Sequence, residues 1–243
     1  VAVEGEYPDM IELYNSSSAL VDLKDLSLTD DLNDPRKFTF PPGTTLGAGK
    51  YLVLYADNEN TPRGLHLGFG LNQEGDALYL FSGQGQLLDA VSFGPQIADL
   101  SIGRLRDGTW ALTRPTFGQA NAPTPVLAAD ALKINEWLAT GISPATDDFI
   151  EIYNPSALPV ALSGLYLTDV PETRQNLHEI APLSYIAAFG YTLFLADGNR
   201  SAGPNHVNFA LASPGSVVAG KDSLTSHCPN AALQSLGITL RAT

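Results

Sequence analysis

"IELYNSSSALVDLKDLSLTD", from Ile11 to Asp30, and "IEIYNPSALPVALSGLYLTD", from Ile150 to Asp169, are two versions of one pattern. In each, apolar residues (Ile11 and Leu13; Ile150 and Ile152) alternate with Glu and Tyr, and a Tyr-Asn pair ends the run. A period of two is the mark of a strand with one buried face, because successive side chains point to opposite sides of the chain. The recurrence has two readings. Either the passage is a chemical motif used at two sites, or it is the scaffold of a duplicated module.

The spacing decides between them. Ile11 and Ile150 stand 139 positions apart, and the same offset pairs Glu12 with Glu151, Tyr14 with Tyr153, Asn15 with Asn154 and Asp30 with Asp169. Further on the offset becomes 140, pairing Tyr51 with Tyr191, Asp57 with Asp197, His66 with His206 and Phe69 with Phe209. A single one-residue slip fits a duplicated domain rather than a solenoid, whose repeats run at roughly 20–50 residues. The next strand region is expected over "LVDLKDLSLTD", where Val21 and Leu23 alternate with Asp22 and Lys24; "KFTF", "KYLVLYAD", "DALYLF" and "QLLDAVSFG", separated by Gly, Pro or Asn turns, also read as strands, with no convincing amphipathic helix. The expected fold is all-β, two tandem immunoglobulin-like β-sandwich domains. The first spans residues 1–121 and the second 132–243, joined by a Pro/Ala-rich linker at 122–131, where Pro123 and Pro125 favour extended geometry. The second opens with "LKINEWLA", Leu132 to Ala139, whose counterpart would precede Val1. The chain is therefore expected to be an internal fragment, or one from which a signal peptide has been removed. After Phe209 the alternation fades, so 212–243 is expected to be a divergent or incomplete end of the second sandwich.

Composition bounds the function. Of 243 residues, 44% are hydrophobic and 16% charged, enough apolar material for packed cores. The formal net charge of −13 repels phosphate backbones and anionic lipid, which argues against direct nucleic-acid partners. No apolar run approaches the ~20 residues of a membrane-spanning helix. The only cysteine, Cys228, has no intramolecular disulfide partner and no motif around it that would activate a thiolate.

Several motifs together carry a resemblance to a known family: "INEWLA" at Ile134, "DFIEIYNPSALPVALSGLYLTD" at Asp148, "GKYLVLYAD" at Gly49, "LHLGFGLNQEGDALYLF" at Leu65 and "GTWALTRPTFGQAN" at Gly108. In combination they resemble the lamin tail domain in its bacterial extracellular form. The resemblance implies an immunoglobulin-like sandwich, no catalytic activity, and a place as an accessory module of secreted or surface proteins, often beside nuclease or phosphatase domains.

The repeated polar residues invite chemical readings. His66 and His206 lack a second His at ligand spacing and a flanking Cys or carboxylate cluster, so a structural role bonding backbone at a strand entry is expected. Glu12 and Glu151 sit in different domains, whereas a glycosidase needs its two carboxyls roughly 5–10 Å apart. They are expected to face solvent or pair across a sheet. Asp30, Asp31, Asn33 and Asp34 form one acidic turn, and Asp57, Asn58, Glu59 and Asn60 another. These oxygen-rich loops are calcium candidates, but neither has EF-hand spacing, and Asp and Asn also serve turns by bonding their own backbone. Gly47/Gly49 and Gly83/Gly85 read as hairpin turns. The expected protein is a non-catalytic binding or scaffolding module, extracellular or at the cell surface, with a protein or carbohydrate partner and no cofactor beyond the calcium candidates. The competing expectation is an accessory segment of a larger extracellular hydrolase.

Overall fold

The structure, a computed structural model, describes residues 8–58, 64–139, 147–170 and 177–211. The chain divides into two compact units. Unit 1 comprises Val1–Asn72, Asp76–Ser92 and Asp99–Pro123; unit 2 comprises Gln73–Gly75, Phe93–Ala98 and Thr124–Thr243. Among the described residues there is no α-helix, only strands, turns and two short 3-10 turns at Ala129–Ala131 and Arg200–Ala202. No helix there is long and apolar enough to cross a membrane. The expected 212–243 end of the second sandwich lies outside the described residues.

Unit 1 contains β1 (Asp9–Tyr14), β2 (Val21–Asp22), β3 (Ser27–Thr29), β4 (Phe38–Thr39), β5 (Thr45–Leu46), β6 (Tyr51–Ala56), β7 (Asp76–Phe81), β8 (Leu87–Phe93), β9 (Ser101–Arg104) and β10 (Trp110–Thr113). β1 pairs antiparallel with β6, setting Ile11 opposite Leu54 and Leu13 opposite Leu52. A four-stranded sheet runs in the order β4-β3-β7-β8, while β2 pairs with β5 and β9 with β10. Leu28 of the four-stranded sheet and Leu54 and Ala56 of the β1-β6 pair meet in one core with Leu23, Phe40, Leu46, Leu67 and Phe69. Two layers sharing an apolar interior are what a sandwich is. Leu54 is wholly buried, and burying such a side chain contributes about 2 kcal/mol.

Unit 2 repeats the plan with β11 (Lys133–Leu138), β12 (Phe149–Tyr153), β13 (Val160–Ala161), β14 (Tyr166–Leu167), β15 (His178–Glu179), β16 (Tyr185–Ile186) and β17 (Tyr191–Leu195). β12 pairs with β17 in the register of β1 with β6, Ile150 opposite Phe194 and Tyr153 opposite Tyr191. β11 adds to the other edge of β12, with a bulge between Ile134 and Glu136. Ile150, Ile152, Leu162, Leu167, Ile180 and Phe194 form its own core.

The one-residue slip has a place. Leu28 pairs with Phe38, and its counterpart Leu167 with His178, so the extra residue of unit 2 lies in the connection between those strands. Connections of this kind run over the surface and tolerate insertions. One expectation needs correction. "LVDLKDLSLTD" does not form a continuous strand region, because a turn divides β2 from β3. Leu26 donates to the Leu23 carbonyl, and Asp25 takes the left-handed conformation with φ 64°. The matching turn of unit 2 has Leu165 donating to Leu162, with Gly164 at φ 81°. Glycine takes that conformation without steric cost and Asp tolerates it, so the sequence of unit 2 shows the break that the sequence of unit 1 hides.

Candidate functional site

The two asparagines that end the founding motif are clasps. Asn15 is buried, and its side-chain amide donates to the carbonyls of Ala19 and Leu46, each at 2.8 Å, while its Oδ1 accepts the Ser17 N–H. Asn154 does the same with Leu158 and Ala187, each at 2.9 Å, and with Ser156. Each asparagine therefore shapes its own loop and also ties it to a strand or turn some thirty residues away. Both amides are themselves buried, and these carbonyls and N–H groups give them their hydrogen-bond partners.

The histidines have partners within the fold. Their Nδ1 atoms meet carboxylates, which residue spacing alone does not foretell: His66 Nδ1 lies 2.7 Å from Asp57, and His206 Nδ1 2.7 Å from Asp197. The partners are nine residues apart, and they meet because the chain doubles back. Tyr55 donates to the Leu65 carbonyl and Leu67 to the Tyr55 carbonyl, laying His66 parallel to the end of β6; Leu195, Asn205 and Val207 repeat this in unit 2. Tyr55 also stacks on the His66 ring, 5.1 Å between centroids. Burial works to raise the Asp197 carboxyl, but the Asn199 amide and the His206 hydrogen bond and charge outweigh it and hold it low. The recurrence of Asp57/Asp197 and His66/His206 at one offset was the available signal for this pair.

Each remaining candidate has a definite place. Asp30 accepts both hydrogen bonds of the Lys37 ammonium, at 2.7 and 2.9 Å. Asp31 accepts from the backbone and side-chain N–H groups of Asn33, and the Asp31 carbonyl accepts from Thr29 and from the Asp34 backbone. Asp57 lies with His66, and Glu59 and Asn60 lie outside the described residues. Among the described residues no three His, Cys, Asp or Glu side chains gather as a metal site would require. Glu12, on the outward face of β1, accepts the Gly118 N–H at 2.7 Å. Partial burial raises its carboxyl, with that N–H opposing. Glu151 accepts instead from the Asn135 side chain on β11. His178 fills the place that Phe38 has in unit 1. It is fully buried, with no hydrogen-bond partner for either ring nitrogen among the described residues. Burial, and then the charge of Arg200, push its pKa down to about 4, so the ring is neutral at pH 7.

The feature that sequence reading passes over is aromatic and faces outward. Tyr14 stacks on Tyr51 and Tyr153 on Tyr191, each with centroids 4.6 Å apart, at the terminal residue pair of the strand ladders. Tyr14 is 54% exposed and Tyr191 56%. Strand parity alone puts them opposite the core residues Leu13 and Ile152. In unit 2 the turn that leads into β17, closed by Gly190 donating to Ala187, carries Phe189 at φ 54° and 58% exposed. The equivalent turn of unit 1, closed by Lys50 donating to Gly47, has Gly49 there at φ 65°. A left-handed conformation costs a bulky L-residue roughly 1–2 kcal/mol, and exposure returns little of it.

The paired strands, the shared two-layer core and the wholly β architecture define an all-β protein of the immunoglobulin-like sandwich class. More specifically, the family model described as Lamin Tail Domain matches residues 2–95, so that part of the chain is similar to a lamin tail domain. That family is non-catalytic. No curated relative and no solved structure matches the chain.

Proposed function

We propose that the chain is a non-catalytic binding module of a secreted or cell-surface bacterial protein, built from two lamin tail domains in tandem. Its partner is a protein or a carbohydrate of that surface, and its action requires no cofactor. One observation carries this reading. The polar residues that recur at fixed offset, Asn15/Asn154 and the Asp57–His66 and Asp197–His206 pairs, are bonded within the fold rather than gathered in a cleft. The same clasp and the same Asp–His pair in both units support assigning unit 2 to the family as well. A rigid scaffold of this kind presents loops and sheet faces to a partner. Duplication raises avidity where both units engage one target, by making the second contact intramolecular. Sedimentation of the labelled whole chain with isolated bacterial cell envelopes tests the reading. Saturable retention is expected, and retention that never saturates or never exceeds that of an inert acidic protein overturns it.

A further inference from the structure

We propose that the end of the β12–β17 ladder, with Tyr153, Tyr191 and Phe189, is a binding platform for a neutral polysaccharide. The proposal rests on the module reading above and names the ligand class it leaves open. Three observations converge. First, the outward tyrosine pair occurs at register-equivalent places in both units, so it belongs to the module rather than to one irregular surface. Second, unit 2 places Phe189 in a left-handed turn position where unit 1 has Gly49, and leaves the residue more than half exposed. A strained, exposed aromatic gains little from the fold, and strain of this kind collects where ligands are held. Third, polar groups sit beside the rings: Lys133 lies directly opposite Tyr153 in the ladder, and the tyrosines carry their own hydroxyls.

Chemistry and size select the occupant. A pyranose ring presents an apolar face of C–H groups and a rim of hydroxyls, which suits flat rings flanked by hydrogen-bonding groups. Tyrosine supplies such area at small entropic cost, having few rotatable bonds. Three aromatic side chains offer at most a few hundred Å², well below the roughly 1,200 Å² of a stable protein interface. The net charge of −13 disfavours anionic glycans and nucleic acids.

Affinity electrophoresis of the whole chain through gels containing hydroxyethylcellulose, laminarin, arabinoxylan or glycogen tests this, with polygalacturonate as the anionic control. Retardation by at least one neutral polysaccharide is expected, and none by polygalacturonate. Tyr191→Ala should weaken binding at least tenfold and Phe189→Gly several-fold, while Tyr191→Phe stays within about threefold of the parent. Thermal melts confirm that each variant is folded. Migration unchanged in all four neutral gels, or retardation that Tyr191→Ala leaves intact, overturns the proposal. Envelope binding distinguishes this failure from the wider one. If no neutral gel retards the parent but it still sediments with envelopes, the glycan platform falls and the module reading stands; if the parent is neither retarded nor sedimented, both fall.

Discussion

His178 shows how much one residue can make of its surroundings. It stands where the first unit has Phe38, and it is buried with its ring neutral, pushed down to about 4 by desolvation and Arg200. A depressed histidine makes stability depend on acid in one direction. As pH falls below the ordinary value of 6.5, the unfolded chain takes up a proton that the folded one refuses, so unfolding is favoured. The loss grows until the folded residue protonates near pH 4. Each pH unit is worth about 1.4 kcal/mol, so the loss from this group between pH 7 and pH 4.5 is about 2–3 kcal/mol. Urea unfolding of unit 2 at the two pH values should show that loss in the parent and not in His178→Phe; equal losses would remove His178 as the cause. The Asn154 clasp makes a second residue-scale prediction. Asn154→Ala removes the amide's hydrogen bonds to the Leu158 and Ala187 carbonyls, of which Ala187 keeps the Gly190 N–H, at a cost of about 2 kcal/mol in chemical denaturation. A change under 1 kcal/mol would mean that water replaces the side chain.

Elements differ in how plainly the sequence announces them. β1, β6, β7, β12 and β17 are five or six residues long with one face packed against a core, and their period of two is legible without a structure. β2, β5, β13 and β16 are two-residue bridges, too short to express any period. The Asp–His pairs are hidden for a different reason, since their partners are joined by a doubling-back of the chain that no local spacing encodes. The platform was half visible: Tyr14 and Tyr153 serve as markers of the repeat, and parity puts them outward, but the left-handed position of Phe189 emerges only against Gly49. That turn predicts its own relief. Phe189→Gly removes a steric cost of roughly 1–2 kcal/mol and adds back some backbone entropy. The net expectation is a gain of up to about 1 kcal/mol, read as a melting temperature for unit 2 raised by a few degrees. A lower melting temperature would show that the ring is packed by something that stabilises it. At the acidic turn the Lys37 ammonium already holds both oxygens of Asp30, so a cation would have to displace it. Millimolar calcium should therefore move the unit 1 midpoint by less than about 1 °C, and a larger rise would restore Asp30, Asp31, Asn33 and Asp34 as ligands.

At the scale of the molecule, the described residues form two separate cores. Leu54 belongs to the first, with Phe40 and Phe69, and Ile150 to the second, with Phe194 and Leu167. Each unit also carries one of the two tryptophans, Trp110 on β10 and Trp137 on β11. Intrinsic fluorescence can therefore follow the units one at a time once the other tryptophan is changed to phenylalanine. Cutting Leu54 back to alanine opens a cavity in a site with no exposure, and such cavities cost about 3–4 kcal/mol. Because its neighbours all lie in the first core, Leu54→Ala should lower the urea midpoint reported by Trp110 and leave that of Trp137 within error. Ile150→Ala should reverse the pattern. If either substitution shifts both reporters together, the two cores unfold as one cooperative body. The two units would then make a single folding unit, and the avidity argument would have to treat the pair as one ligand-presenting surface rather than two independent ones.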